Sequence, residues 1–315
     1  MNIGTITTDR KIPKRRYHVL TKMFMRWQLY LLLLPTLFYF IVFEYGPMYG
    51  LLIAFKDFTP IKGILESPWV GFKHFQTFLE SYQFETLIKN TIGISIYELA
   101  LFPIPVILAL LLNQLVSNKY KRLVQTITYA PHFISTVVLV GMMYIFFSPR
   151  TGFFNLMLGQ FGVDPIQFMA EPGWFKSMFV WSNVWQNAGF GMIIYLAALT
   201  SINPELHEAA VVDGATKVQR IRNIDLPGIM PTVMIMLLLQ MGSFMSIGFE
   251  KVYLMQNAVN ADVSEIIQTH VYKTGLIGGK FSYSTAVGLF NNIINFIILL
   301  SFNQLAKRMK QTSLW

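Results

Sequence analysis

Cysteine is absent from the 315-residue chain, and charged residues make up only 13% of it. The first absence excludes a disulfide scaffold, cysteine-ligated zinc, iron–sulfur clusters and thiol catalysis. The second leaves about half the charged share usual in soluble domains, too little to cover a water-soluble globule of this size. What is present instead is apolar. Hydrophobic residues reach 54%, aromatic residues 15%, and the mean hydropathy is +0.48. Disorder requires low hydrophobicity, so it is excluded for the bulk of the chain. The class that remains is an integral membrane protein.

A hydrocarbon core about 30 Å thick takes about 20 apolar residues per helix. Five stretches lack Asp, Glu, Lys and Arg over such lengths: Trp27 to Phe43, Leu123 to Pro149, Ser177 to Pro204, Leu226 to Phe249 and Phe281 to Ala306. A sixth, roughly Ile88 to Val116, is interrupted only by Lys89 and Glu98. The runs are continuous rather than alternating, which excludes a β-barrel. The expectation is an all-α integral membrane fold of six spans, at about 27–47, 88–116, 123–148, 177–202, 227–249 and 283–306. The first is expected to be an uncleaved span, because its basic leader is long and Glu44-Tyr45-Gly46-Pro47 lacks a small-x-small cleavage site.

Acidic residues are scarce beside basic ones, 16 against 25, for a net charge of +9. A basic soluble protein would suggest nucleic acid. Six spans instead place both termini on one side, together with Arg10, Lys11, Lys14, Arg15, Arg16, Lys22, Arg26, Lys119, Lys121, Arg122, Lys217, Arg220, Arg222, Lys307, Arg308 and Lys310. The denser side is expected to be cytoplasmic, which accounts for the charge with membrane lipids and without nucleic acid as a partner. The organisation is then a basic cytoplasmic leader at 1–26, one transmembrane domain at 27–306 and a cytoplasmic tail at 307–315. The outer loop at about 45–87 is rich in aromatics suited to headgroup depth. A second, at about 148–176, is punctuated by Gly152, Pro165, Pro172 and Gly173. The third, at about 250–280, is expected to hold a short helix from Val263 to Lys273.

Residues 203–227, between the fourth and fifth spans, carry the most specific pattern. Asn203 is a good N-cap and Pro204 suits the first helical position. Glu205 and Glu208 favour the positive end of the helix dipole. Leu206, Ala209, Ala210 and Val211 form a compact apolar surface, and Gly214 can take the left-handed conformation that ends a helix. Thr216 to Asn223 is basic and amphipathic, and Pro227 is expected to start the fifth span. Small residues allow close approach by another surface. A solvated connecting loop would not need so many specified positions.

Glu208-Ala209-Ala210, then Asp213-Gly214-Ala215, then Ile224-x-Leu226-Pro227 resembles the EAA loop of permease subunits of bacterial binding-protein-dependent ABC importers. Its spacing matches the family pattern throughout. Tyr45-Gly46-Pro47-Met48-Tyr49-Gly50 and Ala54-Phe55-Lys56-Asp57-Phe58 are similar to the maltose-type sugar-importer branch, in its complex-oligosaccharide subgroup. The resemblance extends over nearly the whole chain. It implies a type I ABC importer permease fold with a cytoplasmic coupling helix between spans 4 and 5. It also implies a second permease subunit, either a related chain or a second copy, two ATP-binding subunits that use ATP and Mg, and a separate extracytoplasmic solute-binding lipoprotein.

The chain has no phosphate-binding loop of its own. At Gly278-Gly279-Lys280 the following residue is Phe281 rather than Ser or Thr, and Thr274 stands where the first Gly belongs. His18, His74, His132, His207 and His270 are dispersed, with no H-E-x-x-H and no G-x-S-x-G, so no cofactor, metal or catalytic set is expected on this chain. Polar residues inside spans line cavities or helix interfaces. Trp181, Trp185, Asn187 and Tyr195 in the fourth span, Gln240 in the fifth, and Asn291, Asn292 and Asn295 in the sixth offer the amides, hydroxyls and aromatic faces that suit a sugar. Each of these residues could instead hydrogen-bond between helices or mark an interface. Glu98 is the lone acidic residue deep in a span. The competing function is an ion-gradient-driven secondary transporter, which would call for more embedded ionisable groups and for repeat symmetry. Gly214→Val is expected to abolish solute uptake while leaving the protein inserted, read by membrane fractionation beside an uptake assay; normal uptake would remove the loop from the coupling role.

Overall fold

The computed structural model describes residues 26–309 and 312–314, so most of the basic leader and part of the tail lie outside the described residues. Among the described residues all regular structure is helical, and the one β feature is an isolated antiparallel bridge between Lys56 and Trp69. The chain divides into two compact units, residues 1–52 and 53–315. In the first unit, α1 (Trp27–Tyr39) carries Pro35 inside it and continues through a π turn at Phe40–Tyr45 into Gly46–Met48. The apolar helical run extends from Trp27 to Phe55, past the expected end at residue 47. At 1.5 Å per residue that is about 43 Å, longer than the hydrocarbon core.

In the second unit, α2 (Phe84–Leu101) and α3 (Pro103–Asn113) run on as one apolar stretch of 30 residues. Pro103 and Pro105 are tolerated because they fall in the first turn of α3, where the missing N–H is not needed. The other long helices are α6 (Pro172–Thr200) and α12 (Phe281–Arg308). Pro172, expected as loop punctuation, instead opens α6 at its first position.

Among the described residues four helical stretches are long and apolar enough to cross a membrane: Trp27–Phe55, Phe84–Asn113, Lys217–Gly242 and Phe281–Arg308. A fifth arises if a bent pair counts as one span. Here the expectation of a continuous helix over 123–148 is corrected: α4 (Asn118–Tyr129), extended by a 3-10 turn to Phe133, and α5 (Thr136–Phe146) meet at 100°. Pro131 lacks the N–H that a continuing helix needs. Ile134 is extended, and the Ser135 side chain caps the new helix by accepting from Val138 N at 3.4 Å. α6, with 29 residues, has the length for a span but not the hydropathy, because its Trp, Ser, Asn and Gln residues dilute it.

The helix expected to start at Pro227 begins earlier. It runs from Lys217, ten residues before Pro227, to Gly242. α8 (Lys217–Arg220) passes through a π turn at Ile221–Asp225 into α9 (Leu226–Gly242). Proline cannot donate to the carbonyl four residues back and clashes with it; the wider turn just ahead of Pro227 relieves that conflict. Beyond Gly242 the backbone unwinds before α10 (Phe249–Met255). Asn295 holds the unwound segment, accepting from Met245 N at 2.7 Å and donating to Ser246 Oγ at 2.9 Å, while Ser95 Oγ donates to Phe244 O at 2.5 Å. The single helix expected over 263–273 is two pieces, Ala261–Ser264 and α11 (Ile267–Val271). Asn90 Nδ2 takes the carbonyls of Asp262 and Glu265 at 2.8 and 3.1 Å, and Thr91 Oγ1 accepts from Ile267 N at 3.2 Å. Next to that break the Glu265 carboxyl lies 3.7 Å from His270 Nδ1 and 3.6 Å from Lys273 Nζ, and these neighbours, His270 foremost, hold it below the usual carboxylate range.

α6 is the hub of the packing. Its C-terminal half shares one buried cluster with α3 and α9 (Val106, Leu110, Met192, Leu199, Ile229), and its N-terminal half shares another with α5 and α10 (Leu139, Met143, Phe175, Phe179, Val252). Close approach to α4 depends on Gly189, where an added Cβ would run into the backbone carbonyl of Thr128. Gly189→Val is therefore expected to lower stability by about 1–3 kcal/mol through overpacking. Gly141→Ala, where a Cβ meets nothing within 4 Å, should be neutral. Thermal denaturation in detergent checks the pair, and equal melting temperatures would reject the packing argument.

Candidate functional site

The loop between α6 and α9 forms a nine-residue helix, α7 (Pro204–Val212), specified at both ends. Asn203 Oδ1 accepts from Glu205 N at 3.1 Å, satisfying a donor the helix cannot use internally. At the other end Ala215 N donates to Ala210 O at 2.8 Å and Gly214 N to Val211 O at 3.0 Å, with Gly214 at φ +77°. This is the Schellman arrangement, and it needs the left-handed residue that glycine supplies. Open space surrounds Gly214, so backbone conformation and not crowding demands it. Thr216 then starts α8 with a reciprocal capping box to Gln219.

None of the α7 residues is fully buried. Glu208, Ala209, Asp213 and Gly214 are exposed, and Ala210 and Ala215 are half-buried. Leu206 is 53% exposed, Val211 56% and Val212 87%. Ile224 and Leu226 turn inward, Leu226 against the cluster shared by α3 and α6, while Pro227 stays exposed. The loop thus offers a small-residue helix with apolar side chains on its surface.

The residue missed in the sequence is Asp225, the variable position of Ile-x-Leu-Pro. It is 0% exposed, with Gln114 Nε2 donating to Oδ2 at 3.1 Å and His207 Nε2 3.2 Å from Oδ1. A carboxylate facing inward among Ile224 and Leu226 was the available signal.

A second feature lies where α2, α3, α6 and α9 meet. A cavity of about 440 Å³ is lined by Glu98, Asn183, Asn187, Tyr195, Gln240 and Ser243 among its polar residues, with Pro105 and Met236 among the apolar ones. Its polar wall is connected. Asn183 Nδ2 donates to Glu98 Oε1 at 2.7 Å, Asn187 Nδ2 donates to Asn183 Oδ1 at 2.8 Å, and Asn187 Oδ1 lies 3.0 Å from His132 Nδ1. The lining contains no lysine or arginine. Behind it the Lys251 ammonium, 4% exposed, donates to Phe179 O at 3.2 Å, sits over the Phe179 ring and feels the charge of Glu98.

Three residues expected along a solute path, Asn187, Tyr195 and Gln240, are therefore brought together, and Glu98 joins them. The rest are elsewhere. Trp181 and Trp185 line a separate apolar cavity of about 480 Å³ with Phe146 and Met178, and Trp181 Nε1 donates to Tyr97 OH at 2.9 Å. Asn295 is spent on the unwound backbone after α9, Asn291 is buried outside the cavity, and Asn292 is exposed. Gln186 closes the break before α5 by donating to Ile134 O at 2.7 Å.

Residues 102–311 match the family described as binding-protein-dependent transport system inner membrane component. Protein LplB of Bacillus subtilis is 43% identical over 291 residues, covering 92% of this chain and 91% of that protein. The polygalacturonan/rhamnogalacturonan transport system permease protein YteP of the same organism is 40% identical over 303 residues, covering 96% and 94%. Among solved structures, a chain of a bacterial ABC transporter involved in the import of the acidic polysaccharide alginate superposes with a TM-score of 0.87 at 41% identity, covering 93% of this chain and all of that one. A second structure, of a bacterial alginate ABC transporter in complex with a periplasmic protein bound to alginate pentasaccharide, gives 0.86 at 40%.

Lys251 is bonded to Phe179 O and Glu98 to Asn183, so the two charges act on each other through space, and removing one leaves the other less compensated. Lys251→Met is expected to lower stability, and adding Glu98→Gln should recover part of the loss. Thermal denaturation of the two single variants and the double variant tests this; a double variant less stable than Lys251→Met would reject the pairing.

Proposed function

The chain belongs to the family of binding-protein-dependent transport system inner membrane components, and from that premise we propose that it moves an oligosaccharide inward by alternating access, coupled through α7 to separate ATPase subunits. It is a multi-pass membrane protein and a permease subunit of an ABC importer. In this reading six helices cross the membrane, with α4 and α5 counted as one broken span and α6 as another, and both termini are cytoplasmic. The observation that carries the coupling role is α7 itself, a helix capped at both ends, exposed at all but His207 and Ala210, carrying Glu208-Ala209-Ala210 and closed by Gly214. Apolar side chains on a surface that faces water, such as Leu206, Val211 and Val212, suit the groove of a protein partner. ATP and Mg belong to that partner.

The mechanical route is short. The helix that begins at Lys217, just after α7, runs without a non-helical break to Gly242. Gln240 therefore lies about 35 Å along the same axis from the loop and forms part of the cavity wall. A displacement of α7 by closing ATPase subunits tilts this helix and reshapes the cavity, which is a two-state element biased by a partner.

The solute arrives on a separate extracytoplasmic binding protein, as in the alginate transporter complex. A second permease subunit, a related chain or a second copy, completes the path. The carbohydrate assignment rests on the amide, phenol and hydroxyl groups of Asn183, Asn187, Tyr195, Gln240 and Ser243 and on the saccharides named for YteP and the alginate transporter.

Reconstituted vesicles should import the oligosaccharide identified by thermal-shift screening of the cognate binding protein, and only with hydrolysable ATP and the ATPase subunits present. Uptake driven by an ion gradient alone would overturn the proposal in favour of a secondary transporter.

A further inference from the structure

The α7 helix is joined to the spans by its two chain ends and, among the described residues, by one polar side-chain contact. That contact is His207 with Asp225. His207 and Ala210 are the only α7 residues that are not exposed. Asp225 ends the π turn at the cytoplasmic start of α9, and π turns inside helices recur at functional positions. Its other carboxylate oxygen is held by Gln114, the residue that caps α3. Three elements thus converge on one fully buried carboxylate: the docking helix, the helix that leads to the cavity, and the end of the span that forms the cavity's opposite wall.

A carboxylate out of reach of water is costly unless donors surround it. A purely structural role would favour donors from one rigid neighbourhood. Here they come from separate elements, and one of them belongs to the element that moves. The His207 contact is close but not aligned as a hydrogen bond, since Oδ1 has no hydrogen-bond donor while Nε2 stands 3.2 Å away. Hydrogen-bond energy falls steeply with misalignment, so a small shift of α7 changes the environment of Asp225 sharply.

We propose that His207, Asp225 and Gln114 form a clamp that transmits displacement of α7 to α9 and α3 together, His207 acting as a positioning residue through Asp225. This rests on the reading of α7 as the helix that docks on the ATPase. Without the clamp the helix would still dock, but its movement would be lost in the flanking turns Ile202–Asn203 and Asp213–Thr216. Energy from ATP would then be spent without transport.

The test uses the assembled importer in vesicles, measuring solute imported per ATP hydrolysed. Asp225→Asn and His207→Leu should each lower that ratio about tenfold, the loss of one close polar contact to a buried carboxylate, while ATP hydrolysis continues. His207→Gln, which keeps an N–H donor, should stay near the parent ratio. His207→Glu with Asp225→Asn, in which donor and acceptor trade sides, should recover much of the ratio.

Because the chain has no cysteine, Val212→Cys provides a unique cross-linking site toward a single cysteine on the ATPase subunit. Cross-linking should be equal in the parent and the clamp variants. Unchanged transport per ATP in both His207→Leu and Asp225→Asn would overturn the clamp with docking intact. Loss of transport in step with loss of the cross-link would reduce the trio to a fold-stabilising role. No cross-link even in the parent would remove the docking reading itself. If Asp225→Asn fails to fold, the His207→Leu and His207→Gln pair decides alone.

Discussion

A backbone N–H or C=O inside a bilayer has no water to turn to, so each place where a helix breaks must be satisfied by the protein itself. This chain breaks its helices repeatedly in the second unit, and each break has a dedicated polar side chain. Gln186 takes the free carbonyl at Ile134, Asn295 and Ser95 hold the unwound stretch after α9, and Asn90 and Thr91 close the gap before α11. Several amides of the helices are thus divided between two tasks. Those facing a broken backbone are consumed by it. Those left over, Asn183, Asn187 and Gln240, face the cavity beside Glu98 and Tyr195.

The same constraint explains why the loop at 203–216 reads so differently from the rest. Outside the hydrocarbon, a nine-residue helix is too short to be stable by propagation alone. It needs its ends capped, and Asn203, Gly214 and Thr216 supply the caps. Exposed apolar residues on such a helix make sense in a chain that works with a partner, and they sit beside the one buried carboxylate that connects the helix to the spans. His207, which reaches that carboxylate, and the exposed Leu206, Val211 and Val212 all belong to the same two turns.

Much of the architecture was legible in the amino-acid order because it depends on local rules. Continuous apolar runs mark helices of bilayer length, and the caps of α7 follow from Asn203, Pro204 and Gly214 at their spacing. The breaks were harder to see. Pro131 and Ser135 are visible in the sequence, yet a proline in an apolar run kinks one helix and ends another, and the 100° bend depends on Gln186 being present to receive Ile134. The early start of the fifth span was hidden for a similar reason: Pro227 reads as a helix start, and only the π turn before it lets the helix continue from Lys217.

What the amino-acid order determined by itself is the class of protein and the capped helix at 204–212, since composition, run length and motif spacing are properties of the chain as written. What only the tertiary structure decided is the employment of each polar side chain. Asn187 and Asn295 are the same amide in two apolar runs of the sequence, but one lines a cavity and the other repairs a backbone. Asp225 and His207 stand eighteen positions apart, and nothing in that spacing brings them to 3.2 Å. Partners are assigned by packing, and a buried polar group takes its role from whichever unsatisfied atom the fold places within its reach.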